Sequence, residues 1–221
     1  MGTARLARWT PLSGIVFVAL WLVSIALSGN IESGDSDQKI RDYYADSGHR
    51  HRDIVLLFLV LAAALFFVWF LTVLRGRLAQ AQGSAGALTS AAFGAGLVST
   101  AMWTVSMALF TAPSLTREDT SKFVLDPNLF RITQDIGYAI WFSATTIAAV
   151  TVIATSIVSL NAGGLLPKWL AWLAFVVALT MLVAFFFVPF VIFLGWVLVV
   201  SIVLIWRSHQ AAAAAASPQA T

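Results

Sequence analysis

All ten acidic residues of this chain fall in two short stretches, Glu32 to Asp53 and Glu118 to Asp135. Outside them the sequence is almost wholly apolar, broken by isolated basic residues. Charged side chains are costly in hydrocarbon unless they line a functional path. The distribution therefore predicts apolar helices in a bilayer, with the acidic side chains gathered at one end. It also confines any candidate chemistry to that end. Composition agrees: 60% of residues are hydrophobic and 10% charged, with a mean hydropathy of +0.88. An ordinary soluble domain carries about 25% charge.

The net charge of +3 does not point to nucleic acid. The basic residues flank apolar runs and form no cluster with interleaved aromatics. The absence of cysteine excludes disulfides, thiol redox chemistry and thiolate metal sites.

A helical membrane crossing takes about 20 apolar residues. On that measure the chain is predicted to be an all-α, polytopic membrane helix bundle. Six transmembrane helices are expected at about residues 12–28, 54–74, 88–110, 132–160, 166–187 and 189–206. The last two divide one apolar stretch, Leu165 to Trp206, at Pro189, because proline breaks a helix ladder. Residues 1–210 make a single domain with outer polar segments 29–53 and 111–131. The low-complexity tail 211–221 is expected to be disordered or loosely helical. Arg5, Arg8 and Ala26-Leu27-Ser28 imitate a signal peptide, and we read them as an uncleaved first span.

Lys and Arg divide almost evenly between the two sides, so sidedness rests on their surroundings. Arg5, Arg8, Arg75, Arg77, Lys168 and Arg207 stand without carboxylates, and we assign that side to the cytoplasm of a plasma membrane. Both termini then lie inside. Trp9, Trp169, Trp172 and Trp206 mark the membrane boundary there.

The first polar segment predicts a short amphipathic outer helix. Ser36 or Asp35 caps it, Ile40, Tyr43 and Tyr44 form its apolar face, and Gly48 stops it. In the second segment Asp126-Pro127 starts a long helix whose first turns project from the bilayer. Arg131 and Asp135 are one turn apart there and are expected to pair. The turn from Phe185 to Val191 has no polar side chain, so it is expected either to be covered by the two polar segments or to sit bare among the headgroups, where water satisfies its backbone.

His49, His51 and His209 are not placed on helices as haem ligands would be. His49 and His51 with Asp46 and Asp53 match no strong zinc pattern, and a solvated loop is the expectation. No G-x-S-x-G, H-E-x-x-H or P-loop pattern occurs, so neither catalytic residue, metal nor cofactor is assigned. The third and fourth spans are rich in Ser and Thr. With Ala87, Ala91, Ala95 and Ser99 at small-xxx-small spacing, they are predicted to form the centre of the bundle. Spans two and five, bulky and apolar all round, are predicted to face lipid or a second copy.

Two functional readings follow. The first is a partner-binding or accessory subunit of a membrane complex, with Arg41, Asp42, Arg117 and Glu118 on the recognition surface. The second is a binder or carrier of a lipid-like or quinone-like molecule, held by Trp103, Arg131, Asp135, Tyr138 and Trp141. The expected partners are membrane lipid and either another membrane protein or a homo-oligomeric copy, with no nucleic acid.

Three blocks carry a family resemblance. They are Tyr43-Tyr44-Ala45-Asp46, the stretch from Trp69-Phe70-Leu71 to Leu74-Arg75-Gly76-Arg77-Leu78, and Leu165-Leu166-Pro167-Lys168-Trp169-Leu170-Ala171-Trp172. Together they resemble a widespread group of uncharacterised six-span actinobacterial membrane proteins, over nearly the whole chain. The resemblance implies a topology and carries over no functional residue.

Overall fold

The computed structural model describes residues 12–84, 86–120, 122–162, 165–183 and 187–216, with side chains as far as 210. Arg5, Arg8 and Trp9 therefore lie outside the described residues. The described residues form seven helices: α1 Leu12–Leu27, α2 Asp37–Ala45, α3 Ser47–Gln82, α4 Ala87–Asp119, α5 Pro127–Ala162, α6 Lys168–Leu182 and α7 Val188–Ala216. Four of them, α3, α4, α5 and α7, are long and apolar enough to cross a membrane. The other two apolar helices, α1 and α6, have 16 and 15 residues. At 1.5 Å per residue α6 spans only about 23 Å, short of the roughly 30 Å hydrocarbon core, and the described part of α1 spans about 24 Å.

Except for the short α2, each helix packs on its neighbour in the chain, and α7 returns to α1. The six apolar helices thus close into a ring. Its interior holds an aromatic column. Phe17 stacks on Phe67 at 4.4 Å, and Trp103 lies 5.3 Å from Phe190 and 5.6 Å from Phe193. α7, with Phe190, Phe193, Leu194 and Val197 fully buried, belongs to the core as much as α5 does.

The packing faces differ from the expected ones by one residue in two places. On α4 the buried stripe is Ala92, Gly96, Thr100 and Trp103, while Ala87 and Ala91 are exposed. A side chain at Gly96 would meet Leu71 at 2.6 Å, so α3 and α4 approach closely there. Hydroxyls do join helices: Ser106 donates to the Gly137 carbonyl, Thr151 to that of Ala92 and Thr146 to that of Met181. Many others donate back to their own helix, as Thr100 does to Gly96. α3 is also less uniform than expected. Among its aromatic residues Phe67 and Phe70 are buried, while Phe58, Phe66 and Trp69 look outward.

The polar segments are more helical than expected. α2 is capped by Ser36, whose side chain accepts from Lys39 N–H. It ends at Ala45, not at Gly48, because Asp46 closes α2 and caps α3, accepting from Gly48 N–H at 2.6 Å. Residues 47–53 are the first two turns of α3 rather than a loop. α4 runs nine residues past Phe110, through a buried Pro113. Asp126 caps α5, accepting from Asn128 N–H at 2.8 Å. α2 rests on α3, α4 and α5, and Ile40, Tyr43 and Tyr44 pack with Leu125 and Phe130 in a small second core.

The turn between α6 and α7 is not covered by this cap where it is described. Val188 is 63% exposed and Phe187 45%. Phe190 and Val191 N–H donate to the Phe187 carbonyl in the first turn of α7. Phe185 and Phe186 lie outside the described residues. The tail is helical as far as Ala216, and residues 217–221 lie outside the description.

Candidate binding site beneath the polar cap

A cavity of about 410 Å³ lies where α2 covers the ring. Trp21, Ser24, Ile25, Ser28 and Gly29 of the α1 end, Tyr43 and Tyr44 of α2, and Asp53 and Leu56 of α3 line one part. Met107, Phe110 and Thr111 of α4, Gln134, Tyr138 and Trp141 of α5, and Phe187 line the rest. Trp21 meets Trp141 edge-on at 5.0 Å and both meet Phe190, so these rings are the floor that separates the cavity from the aromatic column. Tyr138 and Phe187 line the cavity and are also substantially exposed. They mark a mouth in the side of the bundle.

Asp53 is the structural centre of the roof. Only 7% exposed, it accepts from Tyr43 Oη at 2.8 Å and from Ser114 Oγ at 2.7 Å, and so ties α2, α3 and α4 together. Arg52 donates to Tyr43 Oη at 3.1 Å, and His49 stacks on the Tyr43 ring at 4.4 Å. Burial pushes the Tyr43 phenol up to about 12, against the lowering effect of the Arg52 hydrogen bond. Burial pushes the Tyr44 phenol up further still. At the exposed rim the shifts reverse: the Lys39 hydrogen bond holds Asp35 below its ordinary value, and the Gly48 N–H does the same for Asp46.

Two polar side chains of the lining have no partner. Tyr44 is 4% exposed and Gln134 9%, yet neither the Tyr44 hydroxyl nor the Gln134 amide makes a hydrogen bond among the described residues. Their polar atoms remain accessible in the cavity; the sealed polar atoms without a partner among the described residues are Arg52 Nε and Trp196 Nε1.

The sequence candidates divide. Tyr138 and Trp141 line the cavity. Trp103 does not: it fills the column below and donates from Nε1 to Thr145 at 3.3 Å. Arg131 does not pair with Asp135. It donates to the Ser33 and Asp35 carbonyls and pairs with Asp37 at 2.7 Å, pinning the 28–36 segment to α5. Asp135 is exposed and makes no ion pair among the described residues. The reason is helical phase. The buried face of α5 runs Phe130, Gln134, Gly137, Trp141, which turns position 135 outward.

The partner-surface candidates also divide. Arg41 and Arg117 border a shallow groove of about 150 Å³ with Tyr44, Phe123, Val124 and Leu125. Arg117 donates to the Phe123 carbonyl at 2.7 Å. Asp42 accepts from Gln38 at 2.7 Å on the exposed side of α2. Glu118 is held by Arg50 at 2.6 Å with His51 at 3.9 Å, so it joins α4 to α3. Of the histidine and aspartate set read as a loop, Asp53 turns into the core and His49 onto Tyr43; no cluster among the described residues is arranged to hold a metal.

Asp53 and Gln134 are the residues that sequence reading missed. Both were detectable. The buried stripe of α3, Leu56, Val60, Ala63 and Phe67, extends one step back to Asp53 at the same alternating spacing of three and four. Comparison with protein-family models, with curated proteins and with solved structures finds no match.

Proposed function

We propose that this is an integral membrane protein that binds a largely apolar molecule with a polar end in the cavity beneath the cap. In this reading all six apolar helices cross the plasma membrane, both termini are cytoplasmic, the cap is extracytoplasmic, and the chain belongs with the six-span group it resembles. The short α1 and α6 cross if the bilayer thins or flanking residues extend them, at modest cost. The observation that carries the binding reading is the pair of polar groups, Tyr44 Oη and Gln134, that stay accessible in an aromatic-walled cavity and make no hydrogen bond among the described residues. Ligand sites have this composition: apolar walls with a few convergent polar groups. A mouth at Tyr138 and Phe187 lets the molecule arrive from the bilayer rather than from water.

Native mass spectrometry of gently extracted protein tests this. A small adduct should persist on the wild type and be lost from Ile25→Trp, which fills the cavity from α1. An adduct-free wild type, or one equally present on both proteins, would reject the reading.

A specific feature favours a second reading, an accessory subunit. Val124, 82% exposed, stands beside the groove between Arg41 and Arg117. An apolar residue flanked by two guanidiniums suits an acidic partner segment. Val124→Asp should then reduce co-purification of a partner at fixed stoichiometry and leave any adduct intact.

A further inference from the structure

We propose that the molecule taken up in this cavity carries a protonated amine, so that the site selects lipophilic cations over neutral or anionic molecules of the same shape. The inference rests on the cavity being a binding site and adds the charge of the occupant. Asp53 is buried, lines the cavity and has no ion-pair partner within 4.0 Å among the described residues. Its two hydrogen bonds come from hydroxyls, and the positive charge of Arg52 reaches it only through space, without a direct contact. Buried carboxylates ordinarily have a cationic partner or a metal. No Lys or Arg lines the cavity. The charged and titratable groups around Asp53 are known: Arg52 meets the network at Tyr43 Oη, and His49 lies on the Tyr43 ring. Neither forms an ion pair with Asp53.

An ammonium group answers each feature of the lining. Its three N–H donors need acceptors, and Asp53, Tyr44 Oη and the Gln134 carbonyl oxygen all accept. An alcohol of the same length would use Tyr44 and Gln134 but leave Asp53 without a direct ion pair. A carboxylate would be repelled by Asp53.

The test is equilibrium dialysis of the full chain in nanodiscs at neutral pH, with empty nanodiscs subtracted. The probes are dodecylamine, dodecanol and dodecanoate. The wild type should hold the amine most tightly and the carboxylate least. Asp53→Asn should weaken the amine roughly thirtyfold or more, as removal of one member of a buried charge pair does, and weaken it far more than dodecanol. Tyr44→Phe keeps the ring packing and removes only the unpartnered hydroxyl. It should weaken the amine severalfold, and it decides the matter if Asp53→Asn does not fold. Equal binding of amine and alcohol, or amine binding unaltered in both variants, overturns the charge selection while the cavity stands as a binding site. Binding of none of the three probes overturns the binding reading itself.

Discussion

Asp53 accepts from two hydroxyls on different helices, so its loss should be felt beyond its own position. Asp53→Ala leaves Tyr43 Oη and Ser114 Oγ without their acceptor, at a cost of about 2–4 kcal/mol for two buried hydroxyls. Reversible unfolding in mixed micelles should register that loss, and Ser114→Ala, which removes one donor, should lose less. Equal stability of Asp53→Ala and wild type would contradict the role given to this carboxylate. Tyr43 supplies a pH dependence. Its folded value of about 12 lies above the ordinary 10 of a tyrosine. Its contribution is therefore complete below pH 10 and is lost as pH rises toward 12. Ultraviolet titration should show Tyr43 ionising near 12, with the cap loosening over the same interval, and ionisation near 10 would refute the burial argument. At this scale the sequence was partly legible. Composition located the polar end, but it assigned Asp53 to a solvated loop. Only the continuity of the α3 stripe carries the information that the side chain turns inward.

Helix starts were the most legible elements, because their signals are local. Ser36 and Asp126 cap where their residue types require, and Pro127 opens α5. Ends were harder. α4 continues through Pro113 to Asp119, since a proline near the end of a packed helix loses one hydrogen bond without abolishing the remainder. The α4 packing face was misread by one residue because small residues occupy several faces, and only the close approach of Leu71 singles out Gly96. Gly96→Val should therefore force α3 and α4 apart and cost about 1–3 kcal/mol, the usual range for overpacking, while Gly94→Val, with open space around it, should cost far less. Thermal unfolding of the two variants makes the comparison. Arg131 anchors a loop rather than a helix pair. Arg131→Gln should speed amide exchange at 33–37 and leave the exchange of Asp135 unchanged, and the reverse pattern would restore the expected pairing.

For the whole molecule the question is how many times the chain crosses. If α6 crosses, cysteines at Lys168 and Val188 are labelled by an impermeant reagent from opposite faces of the membrane. Labelling of both from one face would make α6 a re-entrant helix and leave four or five spans. The bundle class was legible from the acidic distribution, and so were the bounds of α1, but the length of α6 was not, because hydropathy does not reveal where Val183 ends a helix. The closed ring has a consequence of its own. Phe17, Phe67, Trp103 and Phe193 occupy its axis without leaving a row of polar groups along it. Water and ions entering at the cap meet rings of carbon and go no further. The cavity is a cup closed at its base by carbon, and a voltage applied across the protein should drive no current.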